Sequence, residues 1–361
     1  MSTAAGLRPR RTVAREAGAR RLALLGTGTV GSAFVARYQV LRQRGLPLPP
    51  VAWVANSRTV LAVADDPRAS LEAARAAPRG VAAPAWPEFE ALCAGDVVVD
   101  ATASDAVAAR HAAWLARGVH VVTANKLGHG AALARSQAIA RAQAASGARY
   151  GDSATVGAGL PVLGSVRALV AGGDHVHVIE GVLSGSLAWL FHQFDGTRPF
   201  SALVRRAMAA GCTEPDPRVD LSGEDVRRKL LILARAAGFA LEAAQVRVEP
   251  LLPAALAAAP AHGLEAALEA LDKPLARRLD EARARGGRLR FTGRVDAAGA
   301  EVALRVLAPD DPLCGGAGTD NRVAIHSDRY RERPLLIQGP GAGAGVTAAA
   351  LLDDVLRVCA G

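Results

Sequence analysis

Apolar and polar positions follow two different rhythms along this chain. Through residue 150, short continuous apolar runs are separated by stretches with helical spacing. RLALL (21–25), VAWVANS (51–57), DVVVDATAS (96–104) and VHVVTANK (119–126) are the runs. Each reads as a strand covered on both faces, the last three passing into polar exit residues. Between them, SAFVARYQVLRQ, a segment at about 69–77 containing LEAARAA, HAAWLARG and LARSQAIARAQAASG (133–147) have helical character, the last two ended by glycine. Strict strand–helix alternation predicts a doubly wound parallel sheet of Rossmann type.

After residue 150 the texture changes. DSATVGAGLPVLGSVRALV is a Gly-rich loop running into a helix, and HVHVIEGVLSG alternates like a strand with two different faces. SLAWLFHQF, FSALVRRAMAAG and VRRKLLILARAAG begin helices. Residues 252–286 read as two Ala-rich helices, and LRFTGRV, AEVALRVL and RVAIHS read as strands. The expectation is a second, α+β domain. QGPGAGAGVTAAALLDDVLRV is a Gly-rich loop opening a last helix, expected to return to the first domain. The resulting division is an Arg-rich disordered tail (1–21), a nucleotide-binding domain (22–150), a substrate and dimerisation domain (151–335) and a returning C-terminal segment (336–361).

Half of the 361 residues are hydrophobic, which is ample for two cores. Net charge is +9, yet residues 1–21 carry six arginines and one glutamate, a net of +5. Basicity is therefore concentrated in the tail, and no Lys/Arg stripe interleaved with aromatics follows it. A nucleic-acid partner is not expected. The tail lacks the apolar core of a secretory signal. No apolar run reaches membrane-spanning length, since LLILARAAGFAL is broken by Arg235 and Gly238. Cys93, Cys212, Cys314 and Cys359 are widely spaced without a CxxC pair. Neither a disulfide framework nor a zinc site is implied, and a reducing cytoplasm fits.

The first apolar run ends in Gly26-Thr27-Gly28-Thr29-Val30-Gly31 and opens a helix. In that context GxGxxG is a dinucleotide-binding loop: Gly26 for the turn, Gly28 for approach of a pyrophosphate, Gly31 for helix–strand packing. The second strand lacks the acidic residue that binds a ribose 2′-hydroxyl. It ends instead in Asn56, Ser57 and Arg58. Arg58 can pair with a 2′-phosphate, so NADP(H) is favoured over NAD(H).

GTGTVG, DATAS, VTANK, TVGAGLPV, LSGSLAWL, GCTEPDP, DLSGEDVRRKLLILAR and QGPGAGAGVTA stand in this order from residue 26 to 348. The series resembles the homoserine dehydrogenase family, most closely the bacterial form fused to aspartokinase. The residues alone lead only to a two-domain nicotinamide oxidoreductase; the alternatives to the family reading are an oxidoreductase acting on another amino-acid semialdehyde and a non-catalytic dinucleotide-binding sensor. The resemblance implies reversible NAD(P)-dependent interconversion of L-aspartate 4-semialdehyde and L-homoserine, usually by a homodimer, in threonine, methionine and isoleucine synthesis.

The same resemblance implies the site residues. Asp225 and Lys229 match the acid and lysine of the catalytic pair, and their i,i+4 spacing puts them on one helical face. Ser222 is expected to cap that helix, with Asp225 completing a capping box. Lys126 matches a second lysine near nicotinamide and substrate. Glu214 and Asp220 match acids that hold the substrate ammonium, with Ser186 and Gly185 beside them. Thr102 and Ser104 are expected at the cofactor, and Gly341 and Gly343 to offer it backbone N–H groups. Asp216 reads as a cap or turn residue, and Glu224 with Arg228 as a solvent pair. Val156, Ala158 and Leu160 match backbone carbonyls that hold a monovalent cation such as sodium in some members. Ser153 stands where the family motif usually has glutamate, which weakens that expectation. Nothing but four residues follows Arg357 and no kinase domain precedes residue 22, so threonine feedback through such domains is not expected.

Overall fold

The computed structural model describes residues 20–78 and 91–360. It contains two six-stranded sheets. The first comprises β1 (Leu22–Leu25), β2 (Val51–Ala55), β3 (Val60–Ala62), β4 (Val97–Asp100), β5 (His120–Thr123) and β6 (Tyr150–Gly151), in the order β3-β2-β1-β4-β5-β6. All neighbours are parallel except the β2–β3 hairpin. Every residue of β1, β2, β4 and β5 is buried. Their unbroken apolar runs are what a sheet covered by helices on both faces requires. Strand order reverses between β1 and β4, so a ligand crevice is expected at their C-terminal ends. The β3 hairpin arm and the two-residue β6 are too short to have shown as apolar runs.

The second sheet comprises β7 (Val176–Val182), β8 (Val246–Val248), β9 (Arg288–Asp296), β10 (Gly299–Leu307), β11 (Asp320–Ser327) and β12 (Leu335–Pro340), in the order β12-β11-β7-β9-β10-β8. It is antiparallel apart from β8–β10. The helices Gly185–Gln193, Glu224–Ala236 and Asp272–Ala284 pack on β9. Leu230, Leu231, Ile232 and Leu233 join Phe291, Val295 and Ile179 in the largest apolar cluster. Residues 252–286 are not two helices. Pro253 and Pro260 isolate the single turn Ala254–Ala257, Ala261–Leu271 alternates 3-10 and α turns without a gap, and only Asp272–Ala284 is a regular helix of several turns.

The last helix, Ala344–Cys359, packs against Thr29–Gln43, and its Leu351, Leu352 and Val355 lie in the core of the first sheet. Its final carbonyls, on Val358 and Cys359, accept from Arg20 Nη1. Arg21 is buried, pairs with Asp96 at 2.7 Å and lies over the Trp53 ring. These two arginines therefore belong to the folded body and not to the tail. The tail's other residues, 1–19, lie outside the described residues. No helix among the described residues is long and apolar enough to cross a membrane.

Candidate active site

The glycine loop leaves β1 and enters the helix Thr29–Gln43 with Gly28 as its N-cap. Gly26 adopts φ 104°, and a Cβ there would come within 2.6 Å of the Ala101 carbonyl oxygen. A Cβ on Gly31 would lie 1.9 Å from the Gly26 oxygen. At Gly28 it would meet nothing among the described residues within 4 Å. The first and third glycines are thus demanded by the fold, whereas the second faces open space. Thr29 is exposed and Val30 half-buried, while Thr27 is buried under the loop. No side chain caps the helix, so its first N–H groups and positive dipole end are available to an anion.

A cleft of about 530 Å³ opens beside Gly28, lined also by Thr27, Arg58, Arg75 and residues 76–78. Asn56 does not face it as a free donor. Its Oδ1 accepts from the Arg58 and Thr59 amides, and its Nδ2 donates to Ala74 O and Thr27 Oγ1. Asn56 therefore shapes the turn that presents Arg58, and Ser57 is exposed. Arg58 Nη2 donates to the Arg75 carbonyl, and Arg75 Nη1 reaches Ser32 Oγ. Arg75 was not singled out from the sequence, where it is one arginine of an amphipathic helix. Only the packing of Pro67–Ala76 against β2 brings it to the cleft.

Thr102 lies against Gly26, where a Cβ would come 3.2 Å from its Cγ2. Asn125 Nδ2 donates to Thr102 Oγ1 and to the Ser104 carbonyl, joining the exit loops of β4 and β5. Ser104 Oγ accepts from Val107 N and so starts a short helix. Lys126 follows Asn125 on the β5 exit loop.

The helix Glu224–Ala236 brings the other half of the site. Its N-cap is Gly223 at φ 74° and has no side-chain cap bond. Ser222 closes the preceding helix Pro217–Leu221, donating to Val219 O and accepting from Glu224 N. The expected capping box is absent because the tight turn between the two helices claims Ser222 and the lysines claim Asp225. Glu224 pairs with Arg227 at 2.5 Å, not with Arg228. Asp216 caps Pro217–Leu221 and pairs with Arg218.

Asp225 meets both lysines. Lys229 Nζ lies 2.9 Å from its Oδ2 and Lys126 Nζ lies 3.2 Å from its Oδ1. Lys229 is buried and also donates to the Leu183 carbonyl at 2.7 Å. Two of its three N–H groups are thus engaged. Burial pushes the Asp225 carboxyl up, but the charges of Lys229 and then Lys126 outweigh it and hold the group far below the ordinary carboxylate range. Its side chain nevertheless keeps 39% of its surface accessible, as a site open to a substrate requires.

Next to this pair, Ser186 Oγ donates to Asp220 Oδ1 at 2.6 Å, and Asp220 Oδ2 accepts from the Glu214 amide. Ser184 caps the helix that starts at Gly185 and contacts Ser186. Asp220 thereby ties the TEPDP loop to the LSGS turn, and the Glu214 side chain stays exposed. Gly343 is the N-cap of the last helix. A Cβ on Gly341 would collide with Asn321, 1.7 Å from its Oδ1. Both amide atoms of buried Asn321 lack a partner among the described residues, a feature without a sequence signal.

Ala158 has φ 48°, the left-handed region, and follows Gly157 at φ 71°. The Leu160 carbonyl accepts from Val162 N. Ser153 donates both N–H and Oγ–H to Asp354, and Asp152 is locked in a two-pronged pair with Arg167. No cluster of three His, Cys, Asp or Glu side chains suited to a metal occurs among the described residues.

Residues 26–151 match the family model described as homoserine dehydrogenase, NAD binding domain, and residues 161–356 match the model described as homoserine dehydrogenase. The chain belongs to the homoserine dehydrogenase family. This is a family of oxidoreductases. The chain is 38% identical over 275 residues to a homoserine dehydrogenase of Emericella nidulans, covering 73% of this chain and 75% of that protein. It is 44% identical over 263 residues to bifunctional aspartokinase/homoserine dehydrogenase 2 of Escherichia coli, covering 73% and 32%. Relative to the bifunctional plant and bacterial proteins it resembles, it spans 29–32% of their length. Among solved structures, a Candida auris protein of unknown function superimposes with TM-score 0.83 at 32% identity, over 95% of this chain and 98% of that one. A hyperthermophilic archaeal homoserine dehydrogenase in complex with NADPH shares the fold, with TM-score 0.72 at 19% identity over 94% and 97%.

Proposed function

We propose that this chain is a homoserine dehydrogenase, reducing L-aspartate 4-semialdehyde to L-homoserine and catalysing the reverse reaction. The observation that carries this is the convergence of Lys126, from one sheet, and Asp225 with Lys229, from the other, on one accessible site. The bound dinucleotide supplies the hydride. The protein must then stabilise the oxygen that gains negative charge and deliver a proton to it. Lys229 has one N–H beyond those held by Leu183 and Asp225, and directs it at the substrate carbonyl oxygen. Asp225 orients both lysines and balances their charge. Asp220 and Glu214 hold the substrate ammonium, with Ser186 and the turn at Gly185 fixing Asp220. Gly26, Gly28 and the N–H groups after it seat the pyrophosphate, and Thr102, Ser104, Lys126, Gly341 and Gly343 surround the cofactor.

NADP(H) is the favoured cofactor. Arg58 and Arg75 flank the cleft at Gly28, and no acid stands at the end of β2 to repel a 2′-phosphate. A sodium ion on the Val156, Ala158 and Leu160 carbonyls does not fit a site completed by a carboxylate, because Ser153 is committed to Asp354 and Asp152 to Arg167. No step depends on such an ion. A homodimer is proposed from the family resemblance alone. The partners are then a small substrate and a second copy, with neither nucleic acid nor membrane. Four unpaired cysteines suit the cytoplasm.

The test is consumption of NADPH by the purified full chain on addition of L-aspartate 4-semialdehyde. Turnover that requires this aldehyde supports the proposal. Tight NADPH binding without turnover on it overturns the substrate assignment.

A further inference from the structure

The Lys126 loop rests on a buried polar chain that the proposed chemistry does not use. Asp100, at the end of β4, and His111 are both fully buried, with His111 Nε2 3.0 Å from Asp100 Oδ2. His111 Nδ1 lies 2.9 Å from the Tyr150 hydroxyl. Burial, then the Asp152 and Asp100 carboxylates, pushes the Tyr150 phenol well above its ordinary value, so its hydroxyl keeps its proton. The Asp100 carboxylate can only accept, so His111 donates to it from Nε2; in that tautomer Nδ1 is an acceptor and Tyr150 donates to it.

Three connections lead from this chain to Lys126. Thr123 Oγ1 donates to Asp100 and accepts from Asn125 N, one residue before the lysine. Asp100 Oδ1 accepts from the Thr102 amide, and Asn125 spans from there to Thr102 and Ser104. Gly128, two residues beyond Lys126, lies directly on the tyrosine: a Cβ would come 2.2 Å from its hydroxyl and 3.2 Å from His111 Nδ1. On its other side the loop abuts the Lys229 helix. A Cβ on Gly130 would come 2.6 Å from Lys126 O and 2.9 Å from Arg228 O, and Arg235 donates to the His129 carbonyl. The loop is held between a rigid floor and the helix bearing its partner groups.

We infer that Asp100, His111 and Tyr150 are positioning residues that set the height and direction of Lys126 against Asp225. This rests on the reading of Lys126 as an active-site group. A polar chain with two fully buried members is rigid when every member is satisfied, and a displacement of about 1 Å at a reacting group can cost on the order of a hundredfold in rate.

The experiment is a double-mutant cycle in the full chain between Tyr150→Phe and Lys126→Ala, reading kcat, KM for NADPH and melting temperature. Tyr150→Phe is expected to lower kcat by about tenfold with KM for NADPH nearly unchanged, and to have almost no further effect on kcat once Lys126 is alanine. His111→Asn, in the same cycle, should behave alike and serves if Tyr150→Phe does not fold. Losses that multiply, or an unchanged kcat in Tyr150→Phe, overturn the positioning role alone. An unchanged kcat in Lys126→Ala overturns the active-site reading and the positioning role with it.

Discussion

Lys126 and Lys229 reach the two oxygens of one carboxylate, Asp225, from different sheets. Neither lysine's environment is complete without the other half of the molecule. Asp225 balances one charge while two press on it, which leaves the three side chains with a net positive charge, as the proposed stabilisation of a developing oxyanion requires. The same contact ties the exit loop of β5 to the helix Glu224–Ala236, so the site proposed above lies where the two sheets meet.

The proposed preference for NADP(H) rests on Arg58 and Arg75, which line the cleft at Gly28. Removing either guanidinium should raise KM for NADPH by about tenfold while leaving NADH little changed, the loss of about one charge-assisted contact. Steady-state kinetics of Arg58→Ala and Arg75→Ala with both nucleotides checks this. An equal loss with NADPH and NADH would contradict it.

The glycine loop separates folding from binding. Gly28→Ala should fold with an unchanged melting temperature and bind dinucleotide weakly, because its Cβ fills space left for the ligand. Gly31→Ala should destabilise the fold, since its Cβ would lie 1.9 Å from the Gly26 carbonyl oxygen. Thermal melts with and without NADPH distinguish the two.

Arg21 anchors the first strand. It pairs with fully buried Asp96, so Arg21→Ala leaves a charge without its partner and should cost about 3 kcal/mol. Urea unfolding measures it, and a loss under about 1 kcal/mol would place the pair among weak surface contacts.

Stability should fall as pH drops from 7 to 5. Burial lowers the pKa of His120, His129 and His192 from the ordinary 6.5. The unfolded chain then binds protons in this range that the folded chain refuses, and ∂ΔG/∂pH is positive. Below about 4, Asp225 and Asp152 add the same sign, since their depressed groups stabilise the fold only while ionised. Asp354, raised by burial, opposes them in the range just above. Melting temperature against pH tests this, with His129→Gln expected to flatten the slope between 7 and 5.

Much of the first sheet was legible because strands buried on both faces must be continuously apolar, and GxGxxG has a steric reason at Gly26 and Gly31. Asp225 and Lys229 were legible as a pair from helical spacing. That Lys126 closes on the same carboxylate follows from topology, which no local pattern contains. The cap at Ser222 was misread because a sequence window does not show that another helix ends there. Glu224 had Arg227 and Arg228 at equally plausible spacings, and the turn geometry selects Arg227. Arg75, Asn321 and the Asp100–His111–Tyr150 chain carry no spacing signal, since their partners come from distant elements. The isolation of the turn Ala254–Ala257 did have a signal, in Pro253 and Pro260.

In the proposed reaction Lys229 acts on the substrate oxygen and is not merely a strut. The most direct measurement is the single-turnover rate of hydride transfer from NADPH to L-aspartate 4-semialdehyde in Lys229→Ala, alongside NADPH affinity. The expected rate is lower by about 10²–10⁴-fold, with affinity for NADPH within a few-fold of the parent chain. A variant that transfers hydride at the parent rate would contradict it.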